Sequence, residues 1–471
     1  MKVLFVTAEA YPFAKVGGLG DVALGLPKTL KTKNVDIRII MPKYRFPKHY
    51  KNKIKTLAKY ETFIGWRTVS CTLGYCKHKG LDYYFIDNPD YFYREKVYGY
   101  GDDDERFIFF SKAVLEAIKY LKDFTPDILH CNDWHSSMVI PLKDVYYKED
   151  KYKNIKTLFT IHNLAYQGQF GKDTLWMLGI DEEIYYVEEE LKHHEGINFM
   201  KWAINKSDIV TTVSPTYSEE VKEKYYGFGL DKVIKDKGNS FIGILNGIDY
   251  DSFKVPAEYK TVHRIIDYKK TNKRKLQEKL SLHVDDEIPV ISIISRLTSQ
   301  KGIGLLVANI HEILDRGMEV IVSGTGESYY EEVLKELESK YKGKVKVVID
   351  FNVNLANEIY LASDLFLIPS KFEPCGLTQM ISMRYGTIPI VRGIGGLKDS
   401  VEEFNFLTER GNGFIFNKFE SRDMLDALDR ALELYNNKEL WSKVIENAIY
   451  SDNGWEKGAE EYKSMYVRLK K

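Results

Sequence analysis

Residues 2–22 read KVLFVTAEAYPFAKVGGLGDV. The run Val3–Thr7 suits a buried strand, the glycines after Lys15 make a tight turn, and Val22–Thr32 carries apolar residues at helical spacing. Strand, glycine loop and helix in that order open an α/β unit. Working outward, the first half continues with strand runs at Val35–Met41, Asp82–Ile86, Asp127–Cys131, Lys156–Ile161 and Ile209–Val213, with helices over Glu105–Lys122 and after Trp134. A second series opens at Pro289–Ser295. It continues through a helix from Gly302, Glu319–Ser323, a helix from Glu327, Lys344–Ile349, a short helix, Leu365–Ile368, a helix from Gly376, and Ile388–Val391. Near-continuous apolar strands alternating with helices predict parallel sheets covered on both faces. Two such series predict an α/β chain of two Rossmann-like domains, residues 1–244 and 245–451, parted near the segment IGILNGIDYD. A charged stretch without strong strands, Lys260–Glu287, follows that boundary. Residues 452–471 read as an amphipathic helix that packs back towards the first domain, with Trp455, Ala459, Tyr462 and Tyr466 on one stripe.

Composition sets the outer limits. At 471 residues the chain is too long for one ordinary domain. A hydrophobic content of 44% excludes a disordered or fibrous chain. Lys and Arg total 68, as do Asp and Glu. The zero net charge argues against bulk nucleic-acid binding but leaves room for basic clusters at an anionic ligand. Tyrosine is abundant, at 33; its flat face and hydroxyl suit sugars, although most tyrosines pack in cores. Cys71, Cys76, Cys131 and Cys375 show no CxxC or zinc spacing, as expected of reduced thiols. With no secretory leader and no membrane-length apolar window, the expectation is a soluble, cytoplasmic protein.

Five motifs carry chemistry. Lys15-Val16-Gly17-Gly18-Leu19-Gly20-Asp21 puts a cation beside glycines that let a ligand approach the backbone; Asp21 reads equally as a helix cap. The spacing is neither GxGxxG nor Walker A. Asn132-Asp133-Trp134-His135 stands at the carboxyl end of an apolar strand, where α/β sheets bind ligands; Asp133 is either a sugar contact or a cap. Thr160-Ile161-His162-Asn163, with Tyr166, Gln167 and Gly168 after it, ends another strand. Arg296 and Lys301, in SRLTSQKG, place two cations before a helix, which suits a diphosphate. The segment Pro369-Ser370-Lys371-Phe372-Glu373-Pro374-Cys375-Gly376-Leu377-Thr378 offers Glu373 to sugar hydroxyls and the amides of Gly376 to Thr378 to phosphate. Cys375 has the chemistry of a nucleophile, but no His or Asn partner is identifiable nearby.

Taken in order, KVGGLGDV, NDWH, TIHN with AYQG, LNGID, SRLTSQKG and EPCGLTQ resemble bacterial glycogen synthases and plant starch synthases over essentially the whole chain. The resemblance implies the GT-B fold of glycosyltransferase family 5, two Rossmann-like domains facing across a deep cleft. It also implies a hexosyltransferase that moves glucose from ADP-glucose to the non-reducing end of an α-1,4-glucan with retention. Carried over by position, Lys15, His162, Arg296, Lys301 and Glu373 would be catalytic. Gly17, Gly18, Asp21, Asn163, Asn246, Phe351, Cys375, Gly376, Leu377 and Thr378 would bind the nucleotide sugar. Glu9, Asp133 and His135 would meet the acceptor; Tyr91, in the run DNPDYF, is a further acceptor candidate read from the sequence rather than from the resemblance. The partners implied are ADP-glucose and glycogen or a maltooligosaccharide, with no cofactor, metal, nucleic acid or membrane.

Two positions depart from the family pattern. Phe351 stands where a tyrosine commonly lies under the adenine, and Ile381 stands where the wider retaining group keeps a ribose-binding Glu. Base preference therefore stays open between ADP-glucose and UDP-glucose, and a catalytically silent glucan-binding protein is the rival of another class. The triplet Asp102-Asp103-Asp104 imitates a metal-binding DxD, yet it precedes an apolar helix and reads as acidic capping.

Overall fold

The computed structural model describes residues 1–46, 48–180, 182–186, 189–350 and 352–470. The chain divides into two compact units, Met1–Asp249 together with Trp455–Lys471, and Tyr250–Gly454. The divisions fall at 249/250 and 454/455, where the sequence suggested 244/245 and 451/452.

In the first unit the strands are β1 (Lys2–Val6), β2 (Asp36–Pro42), β3 (Lys55–Ile64), β4 (Arg67–His78), β5 (Leu81–Asp87), β6 (Ile128–Asn132) and β7 (Lys156–Ile161). A small three-stranded sheet of β8 (Gln169–Phe170), β9 (Lys192–His193) and β10 (Gly196–Asn198) follows, and then β11 (Ile209–Thr212) and β12 (Phe241–Gly243). The main sheet runs β12-β11-β7-β6-β1-β2-β5-β4-β3. It is parallel from β12 to β5, and the last two strands are antiparallel. Val3, Leu4, Phe5 and Val6 are fully buried, as a strand covered on both faces requires. Because β1 is flanked by β2 on one side and β6 on the other, the winding direction reverses there. Ligands in open α/β sheets bind outside the carboxyl ends of the strands at that reversal. The loops after β1, β6 and β7 leave those ends.

The second unit has β13 (Val290–Ile294), β14 (Glu319–Ser323), β15 (Val345–Val348), β16 (Leu365–Ile368), β17 (Ile388–Arg392) and β18 (Phe414–Phe416). All are parallel, in the order β15-β14-β13-β16-β17-β18. Here the reversal lies between β13 and β16. The loops that follow these two strands are SRLTSQKG and PSKFEPCG.

The last helix, Glu456–Lys470, belongs to the first unit and packs on the helix Gly18–Thr32. Its stripe is buried, Trp455, Ala459, Tyr462 and Tyr466 all being at most 3% exposed. Tyr466 Oη lies 2.6 Å from His130 Nδ1 in β6, so the polar tip of a core tyrosine finds a partner. Lys33 reaches Glu456 at 2.9 Å and Glu460 at 3.3 Å on the surface.

Two elements differ from the sequence reading. The hairpin of β3 and β4 was not expected at all. The charged stretch after residue 260 is in fact a 19-residue helix, Val262–Leu280. Its inward stripe holds Ile265, Leu276 and Leu280 but also two lysines, Lys269 and Lys273, both at most 5% exposed. Lys269 Nζ donates to Thr387 Oγ1 at 2.7 Å and to the carbonyls of Leu361 and Tyr385. Lys273 Nζ bonds Asp364 at 2.7 Å, the Ile288 carbonyl and Tyr435. With every ammonium proton directed at an acceptor, charged residues sit where only apolar ones would be anticipated.

Candidate active site

The site residues of the first unit lie on three strand-end loops. After β1, Glu9 is 2% exposed and both its carboxylate oxygens are engaged. Oε2 accepts the amides of Val16 at 2.6 Å and Gly17 at 3.0 Å, and Oε1 accepts the hydroxyl of Tyr98 at 2.8 Å. Burial raises its pKa against these three bonds. The carboxylate of Glu9, expected on the acceptor side, thus anchors the glycine loop. Lys15, from the anchored loop, donates to Asp21 Oδ1 at 2.7 Å. Burial raises the Asp21 pKa, with Lys15 opposing it. Asp21 lies in the first turn of a helix that starts at Gly18, earlier than the expected Val22, and its cap contains no side-chain bond. Asp21 is therefore the partner of Lys15 rather than a cap.

After β6, Asp133 adopts φ +56°, which turns its carboxylate towards the neighbouring strand end. Oδ1 accepts the amides of His162 at 2.7 Å and Asn163 at 3.4 Å, both just past β7. Burial pushes the Asp133 carboxyl up to about 7; the two amides oppose this and the charge of Glu9 adds to it. His162 is half-buried, and burial pushes its pKa down to about 3, so the ring is neutral at working pH. Its Nε2 lies 3.0 Å from Asn132 Oδ1. Asn163 Oδ1 accepts the Ala165 amide at 3.0 Å. Asn246, past β12, is 5% exposed with an unpartnered, buried Oδ1.

Two residues expected to meet the acceptor, His135 and Tyr91, are buried in aromatic packing. His135 is buried in an aromatic cage, its ring 4.0 Å from Trp134, 4.7 Å from Tyr98 and 4.8 Å from Phe107. Among the described residues neither ring nitrogen has a partner, and burial pushes its pKa to about 3. Tyr91 is likewise a core residue: its hydroxyl bonds Glu105, its carbonyl takes Arg106 Nε at 2.7 Å, and its ring stacks on Phe109. Among the tyrosines that reach the strand-end loops is Tyr98, through Glu9. It lies in a loop without periodicity, so no pattern in the sequence pointed to it.

On the second unit, Lys301 donates to Glu373 Oε2 at 2.6 Å, and Ser370 Oγ donates to the same oxygen at 3.0 Å. The two loops are knitted by the Lys371 amide on the Gln300 carbonyl at 2.8 Å and by Lys371 Nζ on Ser299 Oγ at 2.8 Å. They meet so closely that a Cβ at Gly302, which has φ +73°, would lie 1.9 Å from the Pro369 carbonyl. Gly395 presses against the Glu373 carbonyl in the same way. Cys375 is buried at 6%. Gly376 and Leu377 lead into the helix Thr378–Arg384, in which Ile381 is buried and offers a ribose nothing polar. Arg296 is exposed just past β13. Phe351, expected under the adenine, lies outside the described residues.

The acidic triplet is engaged by protein donors throughout. Asp102 pairs with Arg94 at 2.6 Å, Asp103 accepts the amides of Gly99 and Tyr100, and Asp104 accepts Thr174 Oγ1 at 2.7 Å. Among the described residues no group of three or more His, Cys, Asp or Glu is arranged to hold a metal ion, and no helix is long and apolar enough to cross a membrane.

Comparison with known proteins gives the family. Residues 2–236 match the family model of the starch synthase catalytic domain, and residues 259–449 match that of glycosyl transferases group 1. The chain is 46% identical to a glycogen synthase of Clostridium novyi, with 100% of this chain and 99% of the relative covered. It is 43% identical to one of Anoxybacillus flavithermus, covering 100% and 98%. The solved catalytic domain of starch synthase IV from Arabidopsis thaliana, bound to ADP and acarbose, superposes with a TM-score of 0.91 at 34% identity, covering 99% of each chain. A sucrose-phosphate synthase from Thermosynechococcus elongatus shares the fold, with a TM-score of 0.64 at 17% identity and coverage of 99% and 98%. By these matches and by the strand-end loops that carry its motifs, the chain belongs to the starch and glycogen synthase family of GT-B glycosyltransferases.

Proposed function

We propose that this chain, a hexosyltransferase that builds glycogen by glucosyl transfer, takes ADP-glucose as donor and extends the non-reducing end of an α-1,4-glucan with retention of configuration. The observation that carries the reading is Lys301, fixed 2.6 Å from Glu373 between two loops at the reversal point of a parallel sheet. A cation held in place before substrate arrives stabilises the charge that develops as a nucleoside diphosphate departs, at little reorganisation cost. Arg296, with its forked guanidinium just past β13 in the same unit, supplies further positive charge to that diphosphate. The starch synthase of similar fold was solved with ADP and acarbose, which supports an adenine nucleotide and an α-glucan here.

Retention follows from a front-face displacement. The bond between glucose C1 and the phosphate oxygen breaks as the acceptor hydroxyl oxygen bonds to C1 on the same face. The hydroxyl proton passes to the departing phosphate oxygen. This route is favoured over a double displacement because no carboxylate stands out as a nucleophile: both oxygens of Glu9 hold protein donors, and Asp133 and Glu373 each hold two protein donors on one oxygen.

Incubation with glycogen and either ADP-glucose or UDP-glucose, with nucleotide release followed in the presence and absence of excess EDTA, tests the proposal. ADP release that exceeds UDP release and persists in EDTA is expected. Preference for UDP-glucose would overturn the donor assignment. A glucosyl group trapped on Asp133 or Glu373 would overturn the front-face route.

A further inference from the structure

We infer that Asn132 is a positioning residue that fixes which ring nitrogen of His162 carries the proton, leaving Nδ1 as the face offered to a sugar hydroxyl. Asn132 is the last residue of β6, is 1% exposed and is clamped on all sides. Its backbone amide donates to Ser136 Oγ at 2.6 Å, and its carbonyl accepts the same hydroxyl at 2.8 Å. Its side-chain Nδ2 points at two carbonyls, Val6 at 3.1 Å and His130 at 3.2 Å.

Carbonyls only accept, so the amino end of the amide must face them. The opposite end, Oδ1, is therefore the atom 3.0 Å from His162 Nε2. An amide oxygen cannot donate, so the bond exists only if Nε2–H donates to it. The neutral ring then has its lone pair on Nδ1. Among the described residues Nδ1 makes no hydrogen bond, and in this half-buried side chain it is not sealed from solvent. The backbone of His162 is held separately by Asp133, so the two neighbours divide the work: Asp133 fixes where the residue starts and Asn132 fixes how its ring presents. Neutrality at working pH, from burial that pushes the ring to about 3, keeps Nδ1 an acceptor throughout.

The inference rests on the reading of this site as a glucosyl-transfer site, but its first test does not. Ring-nitrogen NMR of histidine-labelled full-length protein, with His162 assigned from the spectrum of His162→Gln, should show protonated Nε2 and unprotonated Nδ1. A protonated Nδ1 in the unaltered protein overturns the inference whatever the donor proves to be. In Asn132→Ala the Nδ1–H tautomer should appear, and kcat should fall about tenfold, one good hydrogen bond, with the donor KM changed by less than about twofold. Unchanged tautomer populations in that variant would also overturn it. Correct tautomers in a protein that transfers nothing from ADP-glucose would sink the functional proposal and leave this one standing.

Discussion

Lys301 and Glu373 form an ion pair of 2.6 Å inside the second unit, with the Lys301 and Glu373 side chains 19% and 9% exposed. The carboxylate holds the ammonium in one place, and Ser370 holds the carboxylate. Lys301→Ala should lower kcat by about 10²- to 10³-fold, the effect of removing one preorganised group at a developing charge. Steady-state kinetics with ADP-glucose check this, and turnover within about threefold of the parent would refute a leaving-group role.

Gly302 is the next residue, and its conformation is what brings the two loops together. With φ +73° and the Pro369 carbonyl 1.9 Å from the position of a Cβ, alanine fits neither the backbone nor the space. Gly302→Ala should destabilise the protein by at least about 2 kcal/mol and weaken donor binding with it. Urea denaturation measures the first effect, and titration with ADP the second. An unchanged urea midpoint would mean that the loops relax at little cost.

Asp133 separates the need for an acceptor from the need for a charge. Its Oδ1 serves the amides of His162 and Asn163, while burial pushes its pKa up to about 7. Near neutral pH the carboxyl is thus part protonated, and a neutral amide oxygen in its place should serve as well. Asp133→Asn should keep kcat within about tenfold, whereas Asp133→Ala, which strands two amides, should lose about 10²-fold or more. Equal losses in both variants would assign the charge a direct part in transfer.

The alternation that opens at Val3 was legible because parallel strands are buried on both faces and read as apolar runs. The strand-end motifs were legible for a related reason, since α/β sheets bind ligands where such strands end. Tyr98 was not, because a loop residue acting through Glu9 carries no periodicity. The packing of Tyr91 and His135 was not legible either, because the rings they meet, Phe109 and Phe107, lie on a helix distant in sequence. Asn132 was visible in NDWH, but its role depends on Val6 of β1 and His162 past β7, which only the folded sheet brings within reach. The hairpin of β3 and β4 escaped because a half-exposed edge alternates polar and apolar residues and lacks the continuous run of the central strands.

Lys269 gives a stability test with a defined sign. Burial depresses its pKa from the ordinary value near 10.5 to about 7, so the unfolded chain binds a proton between those values that the folded chain does not. The resulting penalty on the folded state is full below pH 7 and fades as pH rises towards 10.5. Lys269→Met removes the titration but also strands the acceptors at Leu361, Tyr385 and Thr387, so its absolute effect combines both. The pH dependence isolates the first. Relative to the parent, the variant should be at its best at or below pH 7 and lose ground by about 1.4 kcal/mol per pH unit above it. Urea unfolding of both proteins at pH 6, 7, 8 and 9 measures the difference. A stability difference independent of pH would mean that Lys269 stays charged in the folded protein, with its three acceptors fully offsetting the loss of water.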